Sequence, residues 1–185
     1  MMAMGRAGII LATVSLCAGL AATGTYAQSN REPISALKGH NSDAPVDVSA
    51  DRIEVQDRAD RAIFAGNVRA NQGELSLSTP RLTVAYSGGQ GNGGVQIRRL
   101  DAAGGVTVKS PSETARGDFG IYDLDRRLIT LIGNVQLNRQ QNQVNGARLV
   151  IDLDSGRAVV DGGPPGVNSS GGRVTGHFTV PQRRQ

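Results

Sequence analysis

The phrase FAGNV at 64–68 returns as LIGNV at 131–135, and a phrase written twice limits a chain to folds that stack one unit upon itself. One offset carries Gly66, Asn67 and Val68 onto Gly133, Asn134 and Val135, Arg81 and Leu82 onto Arg148 and Leu149, Val84 onto Ile151, and Phe64 onto Leu131. A weaker copy, Gly104, Gly105 and Val106, lies between them. The shorter offset from Gly104 to Gly133 also sets Arg52 and Ile53 on Arg81 and Leu82, Gly117 on Gly146, Ile121 on Val150, Gly133 on Gly162, and Leu149 and Ile151 on Phe178 and Val180. The unit therefore repeats with a period of about 29. The step from Gly66 to Gly104 is longer than this period; the excess falls at the glycine-rich SGGQGNGGVQ, 87–96, which reads as a loop insertion in one unit.

Inside each unit the pattern alternates with a period of two, the signal of a strand with one apolar face. In RLTVAY, Leu82, Val84 and Tyr86 share a face against Arg81, Thr83 and Ala85; in RLVIDL, Leu149, Ile151 and Leu153 oppose Arg148, Val150 and Asp152. Ahead of and behind the glycines, Leu131, Val135 and Leu137 answer to Phe64, Val68 and Ala70. Glycine and asparagine at the repeated position suit a bulge or a tight bend where φ is positive. Beyond the first residues no stretch reads as an amphipathic helix, so the chain is all-β, and units that cannot bury their apolar faces singly stack into a quasi-one-dimensional body. Its end strands are unpaired edges, able to add strands from another chain.

Residues 1–27, MMAMGRAGIILATVSLCAGLAATGTYA, combine one positive charge, an apolar run and a small-residue end, the pattern of a secretory signal peptide cleaved after Ala27. The run is shorter than the roughly 20 residues of a spanning helix. Its removal leaves 28–185, enough for one domain that buries about 68–70% of the surface its unfolded chain exposes. Cys17, the only cysteine, departs with the signal; the residue before it is Leu16, where a lipid-acylation site wants a small side chain. The mature chain then has no disulfide even in an oxidising compartment. Twenty basic against sixteen acidic residues without a long run of like charge, and few aromatic rings, argue against nucleic acid as a partner.

The motifs that suggest other chemistry have plainer readings. Arg116-Gly117-Asp118 spells an adhesion tripeptide, but Gly117 falls on the repeat position of Gly146. GGQGNGG lacks the Lys-Ser/Thr ending of a phosphate loop. Asp123 and Asp125 recur as Asp152 and Asp154, with too few oxygen ligands around them for calcium. The two histidines, His40 and His177, do not assemble with a nucleophile or a metal-ligand cluster, so no cofactor is expected and an enzyme is not the expected class. Arg52, Arg81 and Arg148 recur on the face opposite the apolar one, as a solvated face or as a contact for anionic phosphates.

VDVSADRIEVQDRADRAIFAGNVRANQGELSLSTPRLTVAY, 46–86, resembles the opening of the LptA/OstA family of periplasmic lipopolysaccharide transport proteins: an Ala-Asp before an alternating strand, an apolar-x-Gly-Asn-Val phrase, a polar turn and a second strand. LITLIGNVQLNRQQNQVNGARLVIDL, 128–153, is similar to the family's later copy, and VTGHFTVP, 174–181, to its closing strand. The insertion at 87–96 and the GPPGVNSSGG loop at 163–172 depart from the pattern outside the repeat core. The resemblance implies an open, twisted β-jellyroll, two sheets folded like a taco, with a signal peptide at 1–27, a flexible leader at 28–44, the jellyroll domain at 45–181 and a basic tail at 182–185. It also implies a periplasmic bridge that holds the acyl chains of lipopolysaccharide (lipid A) in its apolar interior. Head-to-tail homo-oligomers, an inner-membrane LptC-like component at one edge, an outer-membrane LptD-like translocon at the other and an ATP-driven motor elsewhere follow from the same resemblance.

On that reading the lipid-groove residues are the interior ones: Ile53, Val55, Phe64, Val68, Leu75, Leu77, Leu82, Val84, Tyr86, Phe119, Ile121, Leu131, Val135, Leu137, Leu149, Ile151 and Phe178. A filled core produces the same alternation as a groove, so a closed structural or adhesive β-repeat without lipid stands as the alternative, along with an LptC-like component that keeps residues 1–27 as a membrane anchor.

Overall fold

Alternating sequence demands strands whose apolar sides meet something, and the chain meets this demand by folding one sheet over on itself. The computed structural model describes Leu37 and residues 40–88, 94–163 and 172–180; the expected signal segment, most of the leader, the middle of each long loop and the basic tail lie outside the described residues. The strands are β1 (Asp47–Ser49), β2 (Arg52–Gln56), β3 (Arg61–Gln72), β4 (Leu75–Ser87), β5 (Gln96–Lys109), β6 (Glu113–Asp123), β7 (Leu128–Arg139), β8 (Asn142–Asp152), β9 (Arg157–Asp161) and β10 (Thr175–His177). All pairing is antiparallel, in the order β1-β3-β4-β5-β6-β7-β8-β10, with β2 also on β3 and β9 also on β8. Among the described residues the helical content is one 3-10 turn, Asp57–Ala59.

The repeated Gly-Asn phrase is a bend. Each ladder from β3 to β8 breaks register at this height, between Ala65 and Val68 in β3, Ala103 and Val106 in β5, and Ile132 and Val135 in β7. At these breaks Gly66 and Asn67 have φ of +81° and +47°, Gly104 and Gly105 +91° and +94°, and Gly133 and Asn134 +79° and +44°. A side chain at this φ is crowded, and Gly and Asn are the residues that take it most readily. Where asparagine is used, a carboxylate holds it: Asn67 Nδ2 donates to Asp51 Oδ2 and Asn134 Nδ2 to Asp118 Oδ2, both at 2.8 Å. In the middle copy Pro80 packs beside Gly104 in place of the aspartate.

The breaks divide every long strand into two halves, and hence the sheet into two arms. The first arm runs β2, then the 61–65 half of β3, and on through the matching halves to β9; the second runs β1, then the 68–72 half of β3, and on to β10. β1 and β2 thus behave as one broken strand at the N-terminal edge, and β9 and β10 as one at the C-terminal edge. The insertion expected at 87–96 falls between β4 and β5, whose ends meet at the tip of the first arm, and the loop at 163–172 falls between β9 and β10.

The bend predicts a sharp contrast between two glycines. A Cβ on Gly133 would run into the Asp118 carboxylate, whereas one on Gly105 would meet nothing within 4 Å. Gly133→Ala is expected to lose about 1–3 kcal/mol, and Gly105→Asn, which restores the residue of the other copies, to stay within about 1 kcal/mol of the parent. Urea unfolding of both variants checks this; equal losses would mean that the close approach of Asp118 adds nothing to the cost of a side chain at Gly133.

Candidate functional site

Antiparallel partners project to the same face, so the pairing register traces the interior row by row. On the first arm one row runs Ile53, Phe64, Leu82, Ala102, Gly120, Leu131, Leu149, Val160. The next runs Val55, Ala62, Val84, Leu100, Tyr122, Ile129, Ile151, Ala158. On the second arm Val48, Ala70, Leu77, Val108, Ala115, Leu137 and Val144 form the facing row. Leu82, Leu131 and Leu149 are fully buried, and Val68, Val135 and Ile151 nearly so. The arms close on each other to leave a cavity of about 20 Å³ between Ala70, Leu75, Leu77 and Val108 on one side and Leu100, Gly120, Tyr122, Ile129 and Leu131 on the other. That is room for about one water.

Most of the residues singled out from sequence, Phe64, Val68, Leu75, Leu77, Leu82, Val84, Leu131, Val135, Leu137, Leu149 and Ile151, occupy this interior side, whereas Tyr86, half-buried near the end of β4, donates its hydroxyl to Asp57 Oδ1 at 3.4 Å on the exposed side. Ile53 and Val55 are on the interior rows but 54% and 60% exposed, because among the described residues no strand pairs on the far side of β2. Phe178 is 63% exposed just beyond β10, its ring over Gly176. Two further residues need correction. Phe119, 54% exposed, and Ile121, half-buried beside the cavity, fall on the outer parity of β6, and Gly120 and Tyr122 take the interior positions. The break between Arg116 and Phe119 shifts β6 by one residue, which exchanges its faces. The shorter repeat offset carries the missing signal, since it sets Gly120 and Tyr122 on Leu149 and Ile151. The interior residues of β5, Leu100, Ala102, Val106 and Val108, give a weaker signal in sequence because Gly104 and Gly105 interrupt their alternation.

A few polar groups enter this apolar space. Gln72 at the end of β3 is buried with its amide fully used: Nε2 donates to the carbonyls of Ser42 and Ala44 at 2.8 and 2.9 Å, and Oε1 accepts from Tyr122 at 2.8 Å and from His40 Nε2 at 3.0 Å. Burial holds the Tyr122 phenol above its ordinary pKa, so it remains a donor. Thr79 donates to the carbonyl of Ala103 at 3.0 Å. Arg139 Nη1, at the far end of β7, is buried without a partner among the described residues.

The outer face and the turns account for the remaining motifs. Arg52, Arg81 and Arg148 share one outward row, Arg148 bound to Asp161 of β9 at 2.7 Å and Arg52 beside Glu54 at 3.6 Å. Asp152 Oδ1 accepts the backbone N–H groups of Asp154 and Ser155, and Asp123 Oδ1 that of Arg126, so these aspartates close turns. The bond from Ser155 holds Asp152 below the usual carboxylate range. Among the described residues no group of three or more His, Cys, Asp or Glu side chains is placed to hold a metal ion.

Comparison with known proteins gives three findings. Residues 47–157 match the family model described as LptA/(LptD N-terminal domain) LPS transport protein. An uncharacterized protein of Rhizobium meliloti (strain 1021) is 32% identical over 176 residues, 93% of this chain and 90% of the relative. The crystal structure of LptH, the LptA-homologous periplasmic component of the lipopolysaccharide transport device of Pseudomonas aeruginosa, superposes with a TM-score of 0.65 at 17% identity, over 76% of this chain and 99% of that one.

The C-terminal edge yields a pH prediction. The Arg148 guanidinium holds the Asp161 carboxyl below its usual range. A carboxylate whose pKa is lower in the folded chain contributes stability above the unfolded value of about 3.9 and loses it as the pH falls through the folded value. Acidification from about pH 5 to 2 is therefore expected to destabilise the wild type more steeply than Asp161→Asn, as read from unfolding midpoints against pH. Identical slopes would show that this exposed pair does not secure β9.

Proposed function

The chain belongs to the LptA/(LptD N-terminal domain) LPS transport protein family, and on that premise we propose that it is a periplasmic carrier that holds the acyl chains of lipopolysaccharide between its two arms and bridges the two membranes. The observation that carries the reading is the set of unbroken apolar rows, which run from edge to edge and emerge at the N-terminal end as exposed Ile53 and Val55. A row that stops at an open edge continues if a second copy, or a partner with the same fold, pairs there. Head-to-tail stacking of this chain, an LptC-like inner-membrane component at one end and an LptD-like outer-membrane translocon at the other fit the two open edges.

Burying acyl chain is worth about 0.8 kcal/mol per methylene, so one chain of roughly a dozen carbons would meet a barrier on the order of 10 kcal/mol if it crossed water bare. Passage between equivalent grooves avoids that barrier and is nearly isoenergetic. Neither a catalytic side chain nor a cofactor is required at this site, and direction comes from a motor elsewhere. Because the cavity between the arms is only about 20 Å³, an acyl chain enters only if the arms part. The small cavity also favours a second reading, a closed structural β-repeat with a filled core, which differs in taking up no lipid.

Photocrosslinking in cells separates the two. A photoreactive residue at half-buried Phe64 or Leu137, one on each arm, is expected to form lipopolysaccharide adducts, while outward Phe119 and Arg148 form none. Absence of adducts at both interior sites in a folded, exported protein would favour the closed repeat.

A further inference from the structure

The segment ahead of β1 does something that alternation does not explain. Leu37 belongs to no strand, yet it is 5% exposed and packed in the hydrophobic core. Its backbone N–H donates to Oε1 of buried Glu113, at the tip of the second arm, at 2.5 Å. His40 N–H returns to the Leu37 carbonyl at 3.1 Å, and the Gln72 amide grips the carbonyls of Ser42 and Ala44. Asp43 then reaches Arg127 at the tip of the first arm at 3.1 Å, and Arg127 is held in turn by Asp154 at 3.0 Å. Leu37 and residues 40–44 thus pass from one arm tip to the other, across the side where the folded sheet is open. Gln72, on the second arm, also joins Tyr122, on the first, so the arms and this segment share one hydrogen-bond centre.

We propose that this segment is a strap that keeps the empty groove shut, with Leu37 in the place of an acyl chain, and that lipid loading expels it. The inference rests on the lipid-carrier reading above and adds to it an internal competitor. It lies outside the family match, which begins at residue 47. Two observations support competition over a permanent wall. The cavity between the arms, about 20 Å³, has no space for an acyl chain while the strap is seated. Among the described residues of the strap, Leu37 is the one apolar side chain in the core, against the roughly dozen methylenes of an acyl chain. Its remaining hold is a set of hydrogen bonds that water can replace once the segment lifts, plus an exposed ion pair of small worth.

Residue-resolved amide hydrogen exchange on the full chain, with and without rough-type lipopolysaccharide, tests this. Binding is expected to lower the protection of the Leu37, His40 and Ala44 amides roughly tenfold or more while Val68 and Val135 keep theirs. Gln72→Leu, which keeps the volume and removes the shared amide, and Asp43→Ala, on the surface, should each raise the association rate, Gln72→Leu by roughly fivefold. Lipopolysaccharide that binds without changing strap protection overturns the strap and leaves the carrier standing. The same holds for strap variants that bind more weakly, since the segment would then be part of the lipid's wall. No binding by the wild type or either variant overturns the carrier reading and the strap's role with it.

Discussion

Everything in this molecule depends on three stacked bends in which a pair of residues adopts positive φ. A 12-residue strand such as β3, at about 3.3 Å per residue, would otherwise present its apolar face to water along its whole length. Bending it at Gly66 and Asn67 turns that face onto itself, so that Phe64 and Ala70 look toward each other across one interior. The bend must recur at the same height in β5 and β7, or the arms would part, and the phrase therefore recurs in the sequence. The intervening strands answer with residues that leave room: Gly117 and Gly146 are both buried at their own breaks, and a Cβ on either would come within 3.2 Å or less of a neighbour.

How much of this could be read in advance follows from the same physics. A backbone requirement that few residues satisfy writes itself plainly, so the Gly-Asn phrase, its regular spacing and the alternating β4, β7 and β8 were legible. The register of β6 was less so. Phe119 is large and apolar and attracts an interior assignment, while Gly120, which lines the cavity, carries no side chain to announce it. Size misled where the offset would have served. The strap was illegible for a different reason: Leu37 is a single apolar residue in a polar stretch that reads as flexible leader, and burial imposed by one tertiary contact leaves no period to detect. Of that leader, residues 40–44 are held by Gln72 and Arg127.

Exposure along the interior rows depends on position and not on chemistry. Ile53 and Val55 are as apolar as Leu82 and Val84, which occupy the same rows one strand pair inward and are buried. The difference is that among the described residues no strand covers the far side of β2. The N-terminal edge therefore combines an unpaired backbone with an apolar row end, and the two together specify a partner of the same architecture more tightly than either alone. A strand from an unrelated sheet could satisfy the backbone, but its side chains would not continue the two rows.

This links the edges to the middle. Parting the arms to admit lipid exposes apolar surface all along the rows, and the exposed length is greatest if the chain opens alone. A neighbour stacked on the edge shields the row ends and lets a long acyl chain lie across the junction, so opening is least unfavourable where two copies meet. If the chain carries lipid and stacks as proposed, the strap and the stack would act on the same equilibrium from opposite sides: the strap would favour the closed chain while it is empty, and the stacked neighbour, together with the lipid, the open one. A carrier built this way would keep the middle of its apolar rows covered when it has no cargo and would open where a partner is in place to receive it.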